Sequence, residues 1–233
     1  MTIGIILTPD SRSKAYIQKI LKNKIKLDLI IFMNDNRSEK IFSNELIQQS
    51  KNHGFDISKS VIDTLKENNL DFQEFPFVDI NNSELIDYIR NSSIDFILFS
   101  GGGILRDEIL SLETKFIHFH PGIVPSYRGS TCFYYSILKE GRSGVTAFIM
   151  DQNLDTGDIL HQKFLEKPSH KYLDDVYDPH ITSETLIELV TNNENLFSNA
   201  KKQDPSIGET YFIIHPTLKH IAILSCLRTI NPL

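Results

Sequence analysis

Phe116-Ile-His-Phe-His-Pro-Gly-Ile-Val-Pro-Ser-Tyr-Arg-Gly129 decides how this chain is read. An apolar run ends in two histidines one residue apart. Pro121, Gly122 and Pro125 then break the chain into a loop that carries Tyr127 and Arg128. Side chains two apart on a strand point the same way, so His118 and His120 project from one face. Met150-Asp-Gln-Asn-Leu-Asp-Thr-Gly-Asp158 follows shortly after and places carboxylates on a second tight turn. An imidazole and a carboxylate held on the rims of adjacent strands make a usable acid–base pair.

Working outward from this stretch, residues 3–7 and 94–99 are short continuous apolar runs, the pattern of strands buried on both faces. The first run breaks at Thr8-Pro-Asp-Ser-Arg-Ser13, and apolar residues at helical spacing follow through Leu21. The second ends in Gly101-Gly-Gly103, and residues 104–110 read as a helix. Strands are expected at 27–33, 72–78, 116–119, 145–150 and 159–164, and helices at 82–89 and 131–138. Strands alternating with helices imply an α/β fold, a Rossmann-like and mostly parallel sheet flanked by helices. Ligands of such sheets bind beyond the carboxyl ends of the strands, which places loops 8–13, 100–105 and 118–129 on one rim. Asp155 can work with His120 only if the 151–158 turn reaches that rim. Beyond Lys167 the pattern changes: 168–179 reads as an acidic loop, 183–190 as a helix, 192–206 as a polar stretch and 208–215 as a strand. The expected division is a catalytic domain at 1–166 and a small carboxy-terminal extension at 167–233 packed on it.

Composition sets bounds on function. The chain has 233 residues, with 30 acidic against 24 basic and a net charge of −6. A duplex nucleic-acid binder is usually basic, so that partner is not expected. Two cysteines give no disulfide framework and suit a reducing compartment. No signal peptide is expected, and no apolar run reaches the roughly 20 residues that a membrane helix needs. The expectation is a cytoplasmic protein with no membrane and no nucleic-acid partner. A homodimer built through the extension is the expected assembly.

The motif His120-Pro with Pro125 and Tyr127-Arg-Gly129, followed by Leu154-Asp-Thr-Gly157, resembles the signature of the formyltransferases that use 10-formyltetrahydrofolate. These include glycinamide ribonucleotide, methionyl-tRNA and amino-sugar N-formyltransferases, and the resemblance covers residues 1–165. It implies that 10-formyltetrahydrofolate is the cosubstrate, that His120 and Asp155 are catalytic, and that His118 stands where the family has an asparagine. That asparagine amide donates to the formyl oxygen, and an imidazole can also donate one hydrogen bond. Asp155 would orient His120 and favour its charged form, since an opposite charge raises a histidine pKa. The resemblance places the pterin between Gly102, Gly103, Ile104 and Leu105 on one side and the turn with Asp151 and Leu154 on the other. Tyr127 and Arg128 would then lie toward the acceptor. Ser11 and Arg12, which open a helix, are a further candidate for binding an anionic substrate group.

The acceptor follows by elimination. The chain's length leaves no room for the extra domain of the tRNA enzyme, and its first loop lacks the Gly-rich phosphate loop of the glycinamide ribonucleotide enzyme. A small amine acceptor, a nucleotide-linked amino sugar, is the expectation. The alternatives are hydrolysis of the formyl cofactor, a His-x-His metal-dependent hydrolase and a non-catalytic folate-binding relic. No metal site is expected.

Overall fold

The computed structural model describes residues 1–34, 40–77, 79–101, 103–192, 196–204 and 206–227. A seven-stranded sheet runs through the chain. In chain order its strands are β1 (Ile3–Leu7), β2 (Leu29–Met33), β3 (Gln73–Phe75), β4 (Phe96–Phe99), β5 (Lys115–His120), β7 (Arg142–Ile149) and β8 (Ile159–Glu166). They lie side by side as β3-β2-β1-β4-β5-β7-β8. The pairs from β3 to β5 are parallel, whereas β5–β7 and β7–β8 are antiparallel. The mostly parallel sheet is as expected, with the reversal confined to one edge.

Parallel strands are buried on both faces, and the sequence shows why these qualify. In β1, Ile5 and Leu7 join the core on one side of the sheet while Ile6 joins the core on the other. In β5, Ile117 and Phe119 face the first core and Phe116 the second, so His118 and His120 share a face with Phe116. Helix α1 (Ser11–Lys22) starts at Asp10, whose carboxylate accepts from the Ser13 amide at 2.7 Å. Tyr16 of α1 meets Phe119 edge-on at 5.8 Å. On the opposite face, α4 (Ser83–Asn91) buries Leu85, Ile86 and Ile89.

Several expected elements differ in extent. The strand expected at 72–78 narrows to β3, and its Val78 lies outside the described residues. The helix expected at 104–110 shrinks to α5 (Asp107–Leu110), leaving 103–106 as extended loop. Helices α2 (Asn44–Asn52) and α3 (Val61–Glu67) were not anticipated. Each is short and opens on a serine cap, and only part of each helix faces the core.

The expected loop 168–179 instead holds a π-helical turn at Leu173–Tyr177 that runs directly into helix α7 (Asp178–Asn192). Its acidic residues are not a solvated run. Asp175 accepts from Ser11, Asp178 pairs with Arg12, and Asp174 accepts from Tyr134. Residues after 166 therefore complete the core: Leu173, Tyr177, Ile181, Leu186 and Leu189 pack in one cluster with Ile5, Leu7 and Phe119. The strand expected at 208–215 is only β9 (Glu209–Tyr211), and helix α8 (Pro216–Leu227) follows it. β9 pairs in parallel with β6 (Tyr127–Gly129) in a separate two-stranded sheet.

Leu186 is fully buried on α7. Leu186→Ala should cost about 2–5 kcal/mol of unfolding free energy, as deletions in a shared core do. Denaturant melts of the two chains measure it, and a loss within roughly 0.5 kcal/mol, the range of surface changes, would mean that α7 is peripheral.

Candidate active site

β5 ends with its two histidines on one face of the sheet. Phe99 lies opposite His118 on β4, and Phe148 lies opposite it on β7. Because β7 runs against β5, with Ile149 beside Ile117 and Thr146 beside His120, it delivers the 151–158 turn to the wrong end of the strand. The turn bends back over the sheet face, and Asp155 Oδ2 comes to 3.3 Å from His120 Nδ1. This is how the carboxylate reaches the rim where the sequence requires it.

The bend is a matter of backbone conformation. Asp155 itself sits at φ 54, in the left-handed region. Gly157 packs so tightly under the returning chain that a Cβ there would lie 1.6 Å from the Ile149 carbonyl oxygen. Asp151 closes the turn, accepting from the Asn153 amide at 3.1 Å and from the Thr156 hydroxyl at 2.8 Å.

A cavity of about 450 Å³ lies between this turn and loop 103–105. Phe99, Phe148, Met150 and Leu105 supply apolar walls, and His118, His120 and Asp155 form its polar side. Of the expected cofactor residues, Gly103, Ile104, Leu105, Asp151 and Leu154 all line it, whereas Gly102 lies outside the described residues. Ile104 and Leu154 stand 77% and 51% exposed at its mouth, large apolar side chains without cover. A larger open depression of about 790 Å³ lies around Asp95 and Lys115, where β4 and β5 begin, and holds none of these residues.

Both ring nitrogens of His120 face oxygens. Nε2 is 2.9 Å from the Tyr127 carbonyl, which can only accept, so Nε2 carries the proton. Nδ1 then points its lone pair at Asp155 unless a second proton lies between them. The His120 pKa is lowered: burial outweighs the pull of Asp155 and of the Tyr127 carbonyl. Asp155 favours the charged form as expected, and burial outweighs it. The resting ring is neutral, and Nδ1 with Asp155 forms a vacant proton-accepting position. Asp155 Oδ2 also accepts from the Gly129 amide at 2.7 Å, which fixes the carboxylate.

His118 is the polar group left over. Its Nδ1 is buried without a hydrogen-bond partner, and the ring stands 6.3 Å from that of His120. Burial, then the charge of Arg12 and the neighbouring His120 ring, push its pKa well below the usual histidine value. A neutral imidazole with one uncommitted nitrogen can donate or accept a single hydrogen bond there.

None of the four expected acceptor residues lines this cavity. Arg12 is clamped by both carboxylate oxygens of Asp178, at 2.9 and 2.7 Å, and Ser11 donates to Asp175. Tyr127 is buried, stacks on Tyr211 and donates to Glu140. Arg128 is buried and donates to the Ile207 carbonyl. All four hold the fold together around the site; their side chains do not line the cavity. Two groups escaped sequence reading. The Gly129 amide sits inside the recognised motif but acts through backbone, which no side-chain pattern reveals. Gln203 donates to the Asp155 and Gly157 carbonyls from a polar stretch without any motif. Among the described residues no group of three or more His, Cys, Asp or Glu side chains could share a metal ion. Nor is any helix among them long and apolar enough to cross a membrane.

Residues 15–190 match the model of the formyl transferase family. A methionyl-tRNA formyltransferase of Finegoldia magna is 26% identical over 147 residues, 61% of this chain and 47% of its own length. The chain thus spans about half the length of the curated relatives it matches. Among solved structures, a sugar N-formyltransferase from Shewanella sp superposes with a TM-score of 0.60 at 16% identity, covering 99% of this chain and 90% of that one. The N-formyltransferase from Helicobacter canadensis, described in complex with folinic acid and dTDP-3-aminofucose, gives 0.58 at 15% identity over 97% and 81%. These two likenesses are of fold.

His118 and His120 are both held below their ordinary pKa, so the unfolded chain takes up protons first as pH falls. Their contribution to stability is complete above about pH 6.5 and is lost progressively below it. His118→Asn should therefore flatten the fall in unfolding free energy between about pH 7 and 5. Urea melts across that window test this; an unchanged slope would show that His118 titrates normally in the folded chain.

Proposed function

This chain belongs to the formyl transferase family, and from that premise we propose that it moves a formyl group from 10-formyltetrahydrofolate to the primary amine of a small acceptor, a nucleotide-linked amino sugar. The single observation that carries the reading is His120 Nδ1 lying 3.3 Å from Asp155 Oδ2, set in the wall of an apolar cavity beside His118.

The cavity suits a folded-in heterocycle. Its walls are aromatic and aliphatic, and loop backbone borders it on two sides. Gly103 at φ 105 has nothing within 4 Å of where a Cβ would be, so a ring can approach the backbone there. When bound, the formyl donor supplies a one-carbon electrophile. The chain's own residues do the rest. His118 donates one hydrogen bond toward the formyl oxygen as negative charge collects on it. The attacking amine forms the new C–N bond and sheds a proton, which His120 Nδ1 and Asp155 accept between them. The old C–N bond to the folate nitrogen breaks, and that nitrogen takes up a proton in turn. Gly129 holds Asp155 in place through its amide, and the Tyr127 carbonyl keeps the proton of His120 on Nε2.

The acceptor class is drawn from the Helicobacter canadensis protein, whose fold this chain shares. A net charge of −6 supports a small acceptor over transfer RNA, whose phosphates call for basic surface. Arg12 and Arg128 are engaged by Asp178 and Ile207, so recognition of an acceptor phosphate would fall to other groups.

Incubation with 10-formyltetrahydrofolate and a panel of primary amines tests the reading, with loss of the formyl donor as readout. Turnover that depends on a nucleotide-linked amino sugar is the expected result. Acceptor-independent turnover would make the chain a hydrolase, and binding without turnover would make it a folate-binding relic. Asp155→Asn should lower kcat by roughly 10²–10⁴, the usual worth of a positioned acid–base group. His118→Ala should lose roughly 10²–10³ as an oxyanion donor is removed, while His118→Asn stays within about tenfold. Equal loss in both His118 variants would show that the imidazole does more than donate a hydrogen bond.

A further inference from the structure

We propose that Gln203 is a positioning residue for Asp155, and that the stretches 201–204 and 206–211 form a strap that sets the geometry of the His120–Asp155 pair. Its catalytic meaning rests on the formyl-transfer reading; its geometry does not.

The segment lies beyond the stretch that matches the family, which ends at residue 190. At its start, Lys201 forms an isolated antiparallel bridge with Ile159, each amide donating to the other's carbonyl at 2.8 Å. This pins the strap beside the point where the 151–158 turn enters β8. Gln203 comes next. Its side-chain amide straddles Thr156, donating to the Asp155 carbonyl at 3.0 Å and to the Gly157 carbonyl at 2.7 Å. An amide NH₂ has two donors, and both are spent on this one turn. The other end of the same group, Oε1, is buried without a hydrogen-bond partner. A side chain that only filled space would not bring an unsatisfied oxygen into the protein.

The turn needs such a hold. Asp155 occupies the left-handed backbone region, which disfavours any residue with a Cβ and persists only where the surroundings impose it. Its carbonyl is one of the two that Gln203 grips.

Farther along, the strap grips the opposite side of the pair. β9 pairs with β6, setting Thr210 beside Arg128 and Tyr211 beside Gly129. Gly208 lies so close that a Cβ would fall 1.7 Å from the Pro125 carbonyl oxygen. Arg128 donates to Ile207. β6 supplies the two backbone groups that hold the pair: the Tyr127 carbonyl on His120 and the Gly129 amide on Asp155. One covalent segment thus ties the turn carrying the carboxylate to the strand that orients both partners. The distance between Nδ1 and Oδ2 is the quantity it controls.

The test uses the full chain with ¹⁵N-labelled histidine. Gln203→Met keeps the volume and removes both donors, and Asp155→Asn provides the reference for a lost carboxylate. Arg12, Asp178 and His118 also act on the His120 ring, and all three stay unchanged in both variants. In Gln203→Met the ring nitrogen shifts and titration midpoint of His120 should move from the wild-type values toward those of Asp155→Asn. The kcat should fall about tenfold or more, as for a displaced catalytic group, and Tm should stay close to wild type. A folded Gln203→Met chain with wild-type His120 shifts, midpoint and kcat would overturn the assignment. Should that variant not fold, the wild-type chain still decides: the two Gln203 side-chain amide protons must be resolved and slow to exchange, and fast exchange would reject the contact. The ring readouts need no turnover, so they stand or fall separately from formyl transfer, which the wild-type assay tests alone.

Discussion

β7 pairs with β5 in the reverse direction, and that reversal forces the shape of the site. A strand parallel to β5 would have ended at the same rim and delivered its loop there. The antiparallel strand ends beside Phe116, at the other end, and its amide at Met150 bonds to the Phe116 carbonyl. The connection to β8 then has to fold back across the sheet face to bring Asp155 to His120. Folding back roofs a space whose floor is the face bearing His118, Phe99 and Phe148, and so the cavity and the His120–Asp155 pair arise from one connection. The cost appears where the chain turns: a left-handed aspartate and a glycine with no room for a methyl group.

Burial decides the chemistry inside that space. His120 is 3% exposed at its side chain and Asp155 11%, so water screens neither. Desolvation disfavours the imidazolium more than the neighbouring carboxylate favours it, and the ring rests neutral. A proton taken up by the ring would face the Asp155 carboxylate at 3.3 Å. His118 stays neutral for the same reason, with the charge of Arg12 adding to the effect.

The region after residue 166 belongs to this economy of space. Helix α7 closes one face of the sheet, and the acidic turn before it engages Ser11, Arg12 and Tyr134. Two arginines that a sequence reader would offer to a ligand, Arg12 and Arg128, are held by protein oxygens instead. Helix α8 is the exception to tight packing: Ala222 and Cys226 are buried, while Leu218, Ile221 and Leu224 remain partly open to solvent.

The residues of β1, β4 and β5 announce themselves in the sequence because strands buried on both faces must be apolar throughout, and a short unbroken run is hard to mistake. His118, His120 and Asp155 were legible because a histidine pair at a Pro–Gly break and an aspartate in a Thr-Gly turn are local patterns. The helices at 44–52 and 61–67 were not, since short helices touching the core along part of their length leave too few apolar residues to set a period. The order of strands, the reversal at β7 and the contacts of Gln203 were settled only in three dimensions. Each depends on hydrogen bonds between segments far apart in the chain, and a backbone carbonyl leaves no mark on the side-chain sequence by which its partner could be found.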